Sequence, residues 1–233
     1  MDAEADLLIE SILSSYDANR HLVELFRDQL YAALISSVAL EPHVHSIRSR
    51  LKDRDHLRDK LRRKLDKCVQ TGDDFDITPE NLLVTVNDLA GVRVLHLYTR
   101  QIREIDTVLR AIFEEQTYDL VEGPFARTWD DESREFFQEC GIETQLSPTM
   151  YTSVHYVVSS ASRTTVTCEI QVRTLMEEVW GEVDHTLNYP MPTEILASRE
   201  QLKVLARVTS SASRLVDSIF LTHADATQQP LAD

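Results

Sequence analysis

Glu169 and Gln171 sit two residues apart in TVTCEIQVR (165–173). A strand turns successive side chains to opposite faces. Thr165, Thr167, Glu169, Gln171 and Arg173 then share one face, and Val166, Cys168, Ile170 and Val172 the other. Alternation by itself describes an antiparallel sheet with one wet face. TSVHYVV (152–158) alternates similarly. It brings Ser153 and His155 to the face of Glu169 and Gln171 if the two strands pair in register. Beyond Arg173, Asp184 and Asn188 are one helical turn apart and lie together. A sheet face carrying Glu, Gln and His, bordered by a helix carrying Asp and Asn, forms a polar concavity. A glutamate there can act as a general base or a metal ligand.

Asp88 in NDLAGVRV (87–94) lies just before a second apolar run. A carboxylate at a strand edge suits Mg²⁺, a hard ion that takes oxygen ligands. Taken alone, Asp88 and Arg93 would equally describe a turn cap and its ion pair. Neither GxGxxG nor GxxxxGK[ST] occurs in the chain, so a bound phosphate must be held by Arg and Lys side chains. These are concentrated in RSRLKDRDHLRDKLRRKLDK (48–67), with ten Lys/Arg against four Asp/Glu, on a chain of net charge -15. The overall charge argues against general nucleic-acid binding. The local basic segment points to a compact anionic ligand.

The elements that must position these residues follow from periodicity. Leu7, Leu8, Ile12, Leu22, Leu25, Leu30 and Leu34 give a helical stripe over 4–40, and Pro42 interrupts it. Leu57, Leu61 and Leu65 predict a second helix over 53–68. Thr78 and Pro79 read as the N-cap and first residue of a short helix. GVRVLHLY (91–98) is a buried strand, and Ile102, Ile105, Leu109, Ile112 and Phe113 mark a helix over 99–115. Residues 116–150 read as a loop with a short helix ending at Gly141. Strands over 151–160 and 164–173 are joined by a link short enough for a hairpin. Thr174 and Glu177 form a capping-box pattern that starts a helix to about Leu187. Its core stripe reads as Met176, Val179, Trp180, Val183 and Leu187, and Pro190 and Pro192 stop it. A last helix spans about 193–220, with a frayed polar tail after it.

With 42% hydrophobic and 27% charged residues, and only 5 Gly and 7 Pro, the chain is ordered rather than fibrous or disordered. No apolar run approaches the ~18 residues of a membrane span, and MDAEADLLIE lacks the basic start of a signal peptide. Three cysteines at no metal-ligand spacing suit reduced thiols in a cytoplasmic protein.

Taken in order, these segments resemble the RelA/SpoT alarmone synthetase domain over roughly 45–190. RLKDRDHLRDKLRRK (50–64) is similar to that family's basic ATP-binding helix, and DLAGVRV (88–94) to its Asp motif. MYTSVHY (150–156) resembles G-Y-R-S-x-H, CEIQVRT (168–174) resembles E-I-Q-[IV]-R-T, and WGEVDHTLNY (180–189) resembles W-x-x-x-[ED]-H-x-L-x-Y. The resemblance implies an α/β fold: a mixed sheet of about five strands flanked by helices, related to nucleotidyltransferases. A helical extension (1–44) would precede the synthetase domain (45–190), and a C-terminal helix and tail (191–233) would follow. It also implies a synthetase-only member, with end helices whose apolar stripes could build a homo-oligomer.

The implied activity is transfer of the β,γ-pyrophosphate of ATP to the 3′-hydroxyl of GDP or GTP, making (p)ppGpp with Mg²⁺. By the same resemblance Arg50, Lys52, Lys60, Arg63 and Arg93 hold ATP. Asp88 binds the metal together with Glu169, and Glu169 is also the base. Tyr151 stacks on the acceptor base, and His155, Gln171 and Asn188 line its pocket. The acceptor motif departs from the family: Met150-Tyr151-Thr152-Ser153 replaces G-Y-R-S, and the preceding segment is acidic. Arg127 and Arg134 are candidates for the missing positive charge. The donor motifs are complete. This leaves two alternatives to a guanosine acceptor: a toxin-like enzyme acting on a tRNA 3′ end or an adenine nucleotide, and a non-catalytic nucleotide sensor.

Overall fold

The computed structural model describes residues 2–189 and 191–228. Helix α1 (Asp2–Ile35) leads through a short 3-10 turn to strand β1 (Ser46–Leu51) and helix α2 (Arg54–Thr71). A one-turn helix α3 (Leu82–Thr85), strand β2 (Ala90–His96), helix α4 (Ile102–Glu115) and strand β3 (Asp119–Thr128) follow. Helix α5 (Asp131–Glu139), strands β4 (Glu143–Leu146), β5 (Ser153–Ser159) and β6 (Thr167–Thr174), and helices α6 (Leu175–Asn188) and α7 (Leu196–Gln228) complete the chain.

The strands form one mixed sheet in the order β1-β2-β6-β5-β3-β4. β2 pairs with β6 in parallel, and β5 and β6 form the expected antiparallel hairpin. One face is apolar: Val92 and Val94, Cys168, Ile170 and Val172, and Val154, Tyr156 and Val158 are all buried. They join a single core with α4 and with Ile9, Ile12, Leu13, Tyr16, Phe26 and Leu30 of α1. The opposite face carries the polar residues.

The mixed sheet flanked by helices is the expected one, with six strands, of which β1, β3 and β4 carry no clear alternating pattern in the sequence. In β1 the apolar positions are few and the arginines alternate, so the strand resembles the start of a basic helix. The basic segment is therefore not one helix. Arg48 and Arg50 lie on β1, Lys52 lies in the connection, and α2 begins only at Arg54. Asp53 caps it, its side chain accepting from the backbone N–H of Asp55 and His56. In β3 the pair Gly123-Pro124 breaks the alternation, and register shifts around Glu122 accommodate it.

Four helix readings also change. Thr78 does not cap a helix. It exchanges hydrogen bonds with Asn81, and α3 starts at Leu82, three residues after Pro79, with Asn81 in the cap position. On α1, Leu7 and Leu25 are exposed, because the buried stripe runs through Ile9, Leu13, Val23 and Phe26. On α6 the expected core positions Val179, Val183 and Leu187 are exposed, whereas Glu177, Glu178 and Trp180 are buried. Arg93 and Arg173 pair with Glu178, and the Thr152 N–H donates to Glu177, which makes this possible. The last helix starts at Leu196 and continues to Gln228, past the predicted end at Phe220. Pro190 and residues 229–233 of the expected tail lie outside the described residues.

Candidate active site

Strand register lines the polar residues up in two rows. One row runs Arg48–Arg93–Gln171–His155–Phe125 across β1, β2, β6, β5 and β3, and the next runs Arg50–Gly91–Glu169–Val157–Glu122. Gly91 matters in the second row. A Cβ there would stand 3.4 Å from Nε of Arg50, so its absence leaves room for the guanidinium beside β2.

The rows border two clefts. The first, of about 530 Å³, lies between the sheet and α6 and is lined by Arg48, Arg50, Arg93, Arg173, Trp180, Glu182, Asn188 and Tyr189 among others. The second, of about 400 Å³, is lined by Lys60, Asp88, Glu122, Phe125, Arg127 and His155. Arg50, Tyr151, Glu169 and Gln171 line both. They form the ridge where molecules held in the two clefts would meet.

On that ridge Glu169 is held at both oxygens. His155 Nδ1 donates to Oε1 at 2.9 Å, and Gln171 Nε2 donates to Oε2 at 2.8 Å. Burial alone would raise the Glu169 pKa; the contacts with His155 and Gln171 outweigh it and hold the carboxyl below its ordinary value. Asp88 accepts from Lys52 Nζ at 2.8 Å and from Lys60 Nζ at 2.6 Å. Burial would raise its pKa too, but the two ammonium groups bring it down to about 2. Both groups are therefore ionised at neutral pH. Asp88 lies close enough to act electrostatically on Glu169.

The site offers hard oxygen donors in the form these two carboxylates take. Among the described residues no group of three or more His, Cys, Asp or Glu could hold a metal ion. Mg²⁺ typically uses one or two carboxylates and completes its shell with water and substrate phosphates. Asp88 and Glu169 would be the protein ligands.

The first cleft is built by arginines with carboxylate partners. Arg93 Nη1 donates to Glu178 at 2.7 Å and to Glu182 at 2.6 Å. Glu178 also pairs with Arg173. Arg173 in turn lies 5.6 Å from the Tyr151 ring centre. Gly181 makes room for this cluster, since a Cβ there would stand 2.6 Å from Nη1 of Arg173. At the mouth, the Arg63 guanidinium lies 5.4 Å from the Tyr189 ring centre. Asn188 donates to Asp184 at 2.7 Å, as their spacing predicted.

Most of the residues grouped from the sequence line one of the two clefts; Lys52 and Arg63 line neither, Lys52 contacting Asp88 and Arg63 the Tyr189 ring. Asn188, assigned to the acceptor, lines the first cleft with Arg50 and Arg93. His155 lines the second, with Lys60 and Asp88. Of the two candidate replacement charges, Arg127 lines the second cleft, whereas Arg134 pairs with Asp131 on α5. Sequence reasoning missed Arg48, Arg173, Glu178 and Glu182. Arg173 shares the Glu169 face of its strand, and Glu178 and Glu182 are one helical turn apart, so the signal was present.

A family model described as a region found in RelA/SpoT proteins matches residues 49–194. This chain belongs to the RelA/SpoT family. Comparison with curated proteins finds no match. Among solved structures, the RelA/SpoT fold is matched by small alarmone synthetase 1 from Bacillus subtilis bound to pppGpp. Identity is 21% and TM-score 0.57, covering 91% of this chain and 95% of that one. Small alarmone synthetase 2 from Bacillus subtilis matches at 18% identity and TM-score 0.56, covering 89% and 99%. A GTP pyrophosphokinase family protein from Streptococcus pneumoniae matches at 20% identity and TM-score 0.53, covering 98% of each chain. The RelA/SpoT match spans β1 to the α6–α7 connection and so contains every residue of the ridge. No helix among the described residues is long and apolar enough to cross a membrane.

Proposed function

We propose that the protein is an ATP-dependent pyrophosphokinase that transfers the β,γ-pyrophosphate of ATP to the 3′-hydroxyl of GDP or GTP. The observation that carries this reading is the ridge with its flank: Glu169, ionised, at the junction of two clefts rich in Arg and Lys, and Asp88, also ionised, beside it in the second cleft. Structures of Bacillus subtilis small alarmone synthetase 1 bound to its product pppGpp and to AMPCPP supply the nucleotide classes.

The donor occupies the first cleft, where Arg48, Arg50 and Arg93 face the α6 wall and Arg63 guards the mouth. Lys52 and Lys60 reach its phosphates from the Asp88 side. The acceptor occupies the second cleft between Tyr151, His155 and Arg127, its 3′-oxygen directed to the ridge. The 3′-oxygen bonds to the β-phosphorus, the bond from that phosphorus to the α–β bridging oxygen breaks, and AMP leaves. Glu169 takes the hydroxyl proton. Its lowered pKa makes it a weak base, which suits a loose transition state that needs alignment more than deprotonation. His155 and Gln171 fix its direction. Mg²⁺, when bound at Asp88 and Glu169, supplies charge neutralisation.

Outward basic residues of α2 are taken up by α1. Arg54 pairs with Glu10 and Asp17, Arg58 with Glu10, and Arg62 with Asp6. This supports a free nucleotide over an RNA end as acceptor. The exposed apolar residues of α6 and α7 support a homo-oligomer.

The test is γ-labelled ATP with Mg²⁺ and, separately, GDP, GTP, ADP, ATP and bulk tRNA. Label is expected in the guanosine nucleotides. Label in tRNA or an adenine nucleotide would replace the acceptor, and no transfer at all would leave a nucleotide sensor.

A further inference from the structure

Asp88 has no free side-chain oxygen. Oδ2 accepts from Lys52 and Oδ1 from Lys60. The two lysines differ in freedom. Lys52 is anchored through its backbone: Tyr16 donates its hydroxyl to the Lys52 carbonyl at 2.6 Å, and the Lys52 N–H donates to Leu89 at 2.8 Å. Its side chain is 14% exposed, whereas that of Lys60, on the outer part of α2, is 37% exposed.

We propose that Lys60 and Asp88 form an exchange pair that keeps a divalent cation out until a polyphosphate arrives. The cation then enters with the nucleotide, whose phosphates draw Lys60 off the carboxylate. This deepens the proposed function and rests on Asp88 being the metal-binding carboxylate.

Two observations carry it. First, the single charge of Asp88 is met by two ammonium groups, so a bare cation meets no net negative charge there. Second, Lys60 is the more exposed of the two lysines and lines the cleft itself, so its ammonium can follow a polyphosphate that arrives there. Cation and nucleotide then raise each other's affinity by the same factor.

The test is titration of the full chain with Mn²⁺ alone, followed by electron paramagnetic resonance of the free ion. Without nucleotide, Lys60→Gln is expected to bind Mn²⁺ at least about tenfold more tightly than the wild type, within the ordinary range of coupling between sites. Lys60→Ala should move the same way. Lys64→Gln removes the same charge one turn along α2, where Lys64 pairs with Asp76, and should match the wild type. Equal affinity in wild type and Lys60→Gln would overturn the exchange and leave the metal reading of Asp88 standing. Tight binding that persists in Lys60→Gln with Asp88→Asn would place the ion elsewhere and overturn both.

Discussion

At the residue scale the account turns on two carboxylates with different partners. Glu169 is aimed by His155 and Gln171, and Asp88 is held by lysines. Glu169→Gln should keep nucleotide affinity and lose about 10²–10⁴-fold in transfer rate, the usual weight of a positioned proton acceptor. Single-turnover measurements at saturating ATP check this; an unchanged rate would remove Glu169 as the base. Gly181 gives a second case. In a helix interior Ala is ordinarily favoured over Gly by about 1 kcal/mol. Here the added Cβ meets a buried guanidinium paired with Glu178, and overpacking of this kind costs about 1–3 kcal/mol. Gly181→Ala is therefore expected to lower the melting temperature, and a rise would show that Arg173 moves aside freely. Glu169 and Gln171 were legible because strand alternation puts them on one face. Arg173 has the same parity, but its role depends on Glu178, and an acidic residue on an amphipathic helix ordinarily faces water.

At the element scale, α6 is the helix whose orientation the sequence misled. Val179, Val183 and Leu187 have core-like spacing, yet the helix turns Glu177 and Glu178 inward because arginines and a backbone N–H await them. Glu177 is tied to the segment after Tyr151, accepting from the Thr152 N–H at 3.3 Å. Burial pushes its pKa up from 4.5 to about 7. The folded state thus binds a proton that the unfolded state has released. The resulting stabilisation is complete below about 4.5 and is lost as pH rises through about 7. Glu177→Gln should accordingly gain melting temperature over the wild type at pH 8 relative to pH 5. A difference independent of pH would contradict a protonated Glu177 in the fold. The hairpin of β5 and β6 and helix α4 were legible from clean periods of two and 3.6. β1 and β3 were not, because functional arginines fill one and Gly123-Pro124 interrupts the other.

At the scale of the whole molecule, α1 and α7 are the largest additions to the sheet. α1 completes the core and neutralises the outward side of α2, a long-range pairing that no local pattern reveals. α7 leaves Val204, Val208, Leu215 and Ile219 exposed, and α6 adds Val179 and Leu187. Exposed apolar residues repeated along one face of a helix, as Val204, Val208, Leu215 and Ile219 are, commonly mark an interface. Light scattering after size exclusion should therefore give a mass of at least twice 26.7 kDa, and Val208→Asp with Leu215→Asp should reduce it to one chain. A monomeric wild type would remove the oligomer from the account.

The central claim is that pyrophosphate, as one unit, crosses the ridge between the clefts. Phosphorus nuclear magnetic resonance of the protein with ATP, GDP and Mg²⁺ reads this directly. The account predicts AMP and a guanosine product with a new 3′-diphosphate, appearing in equal amounts. Formation of ADP, or of free phosphate without a new guanosine species, would contradict it.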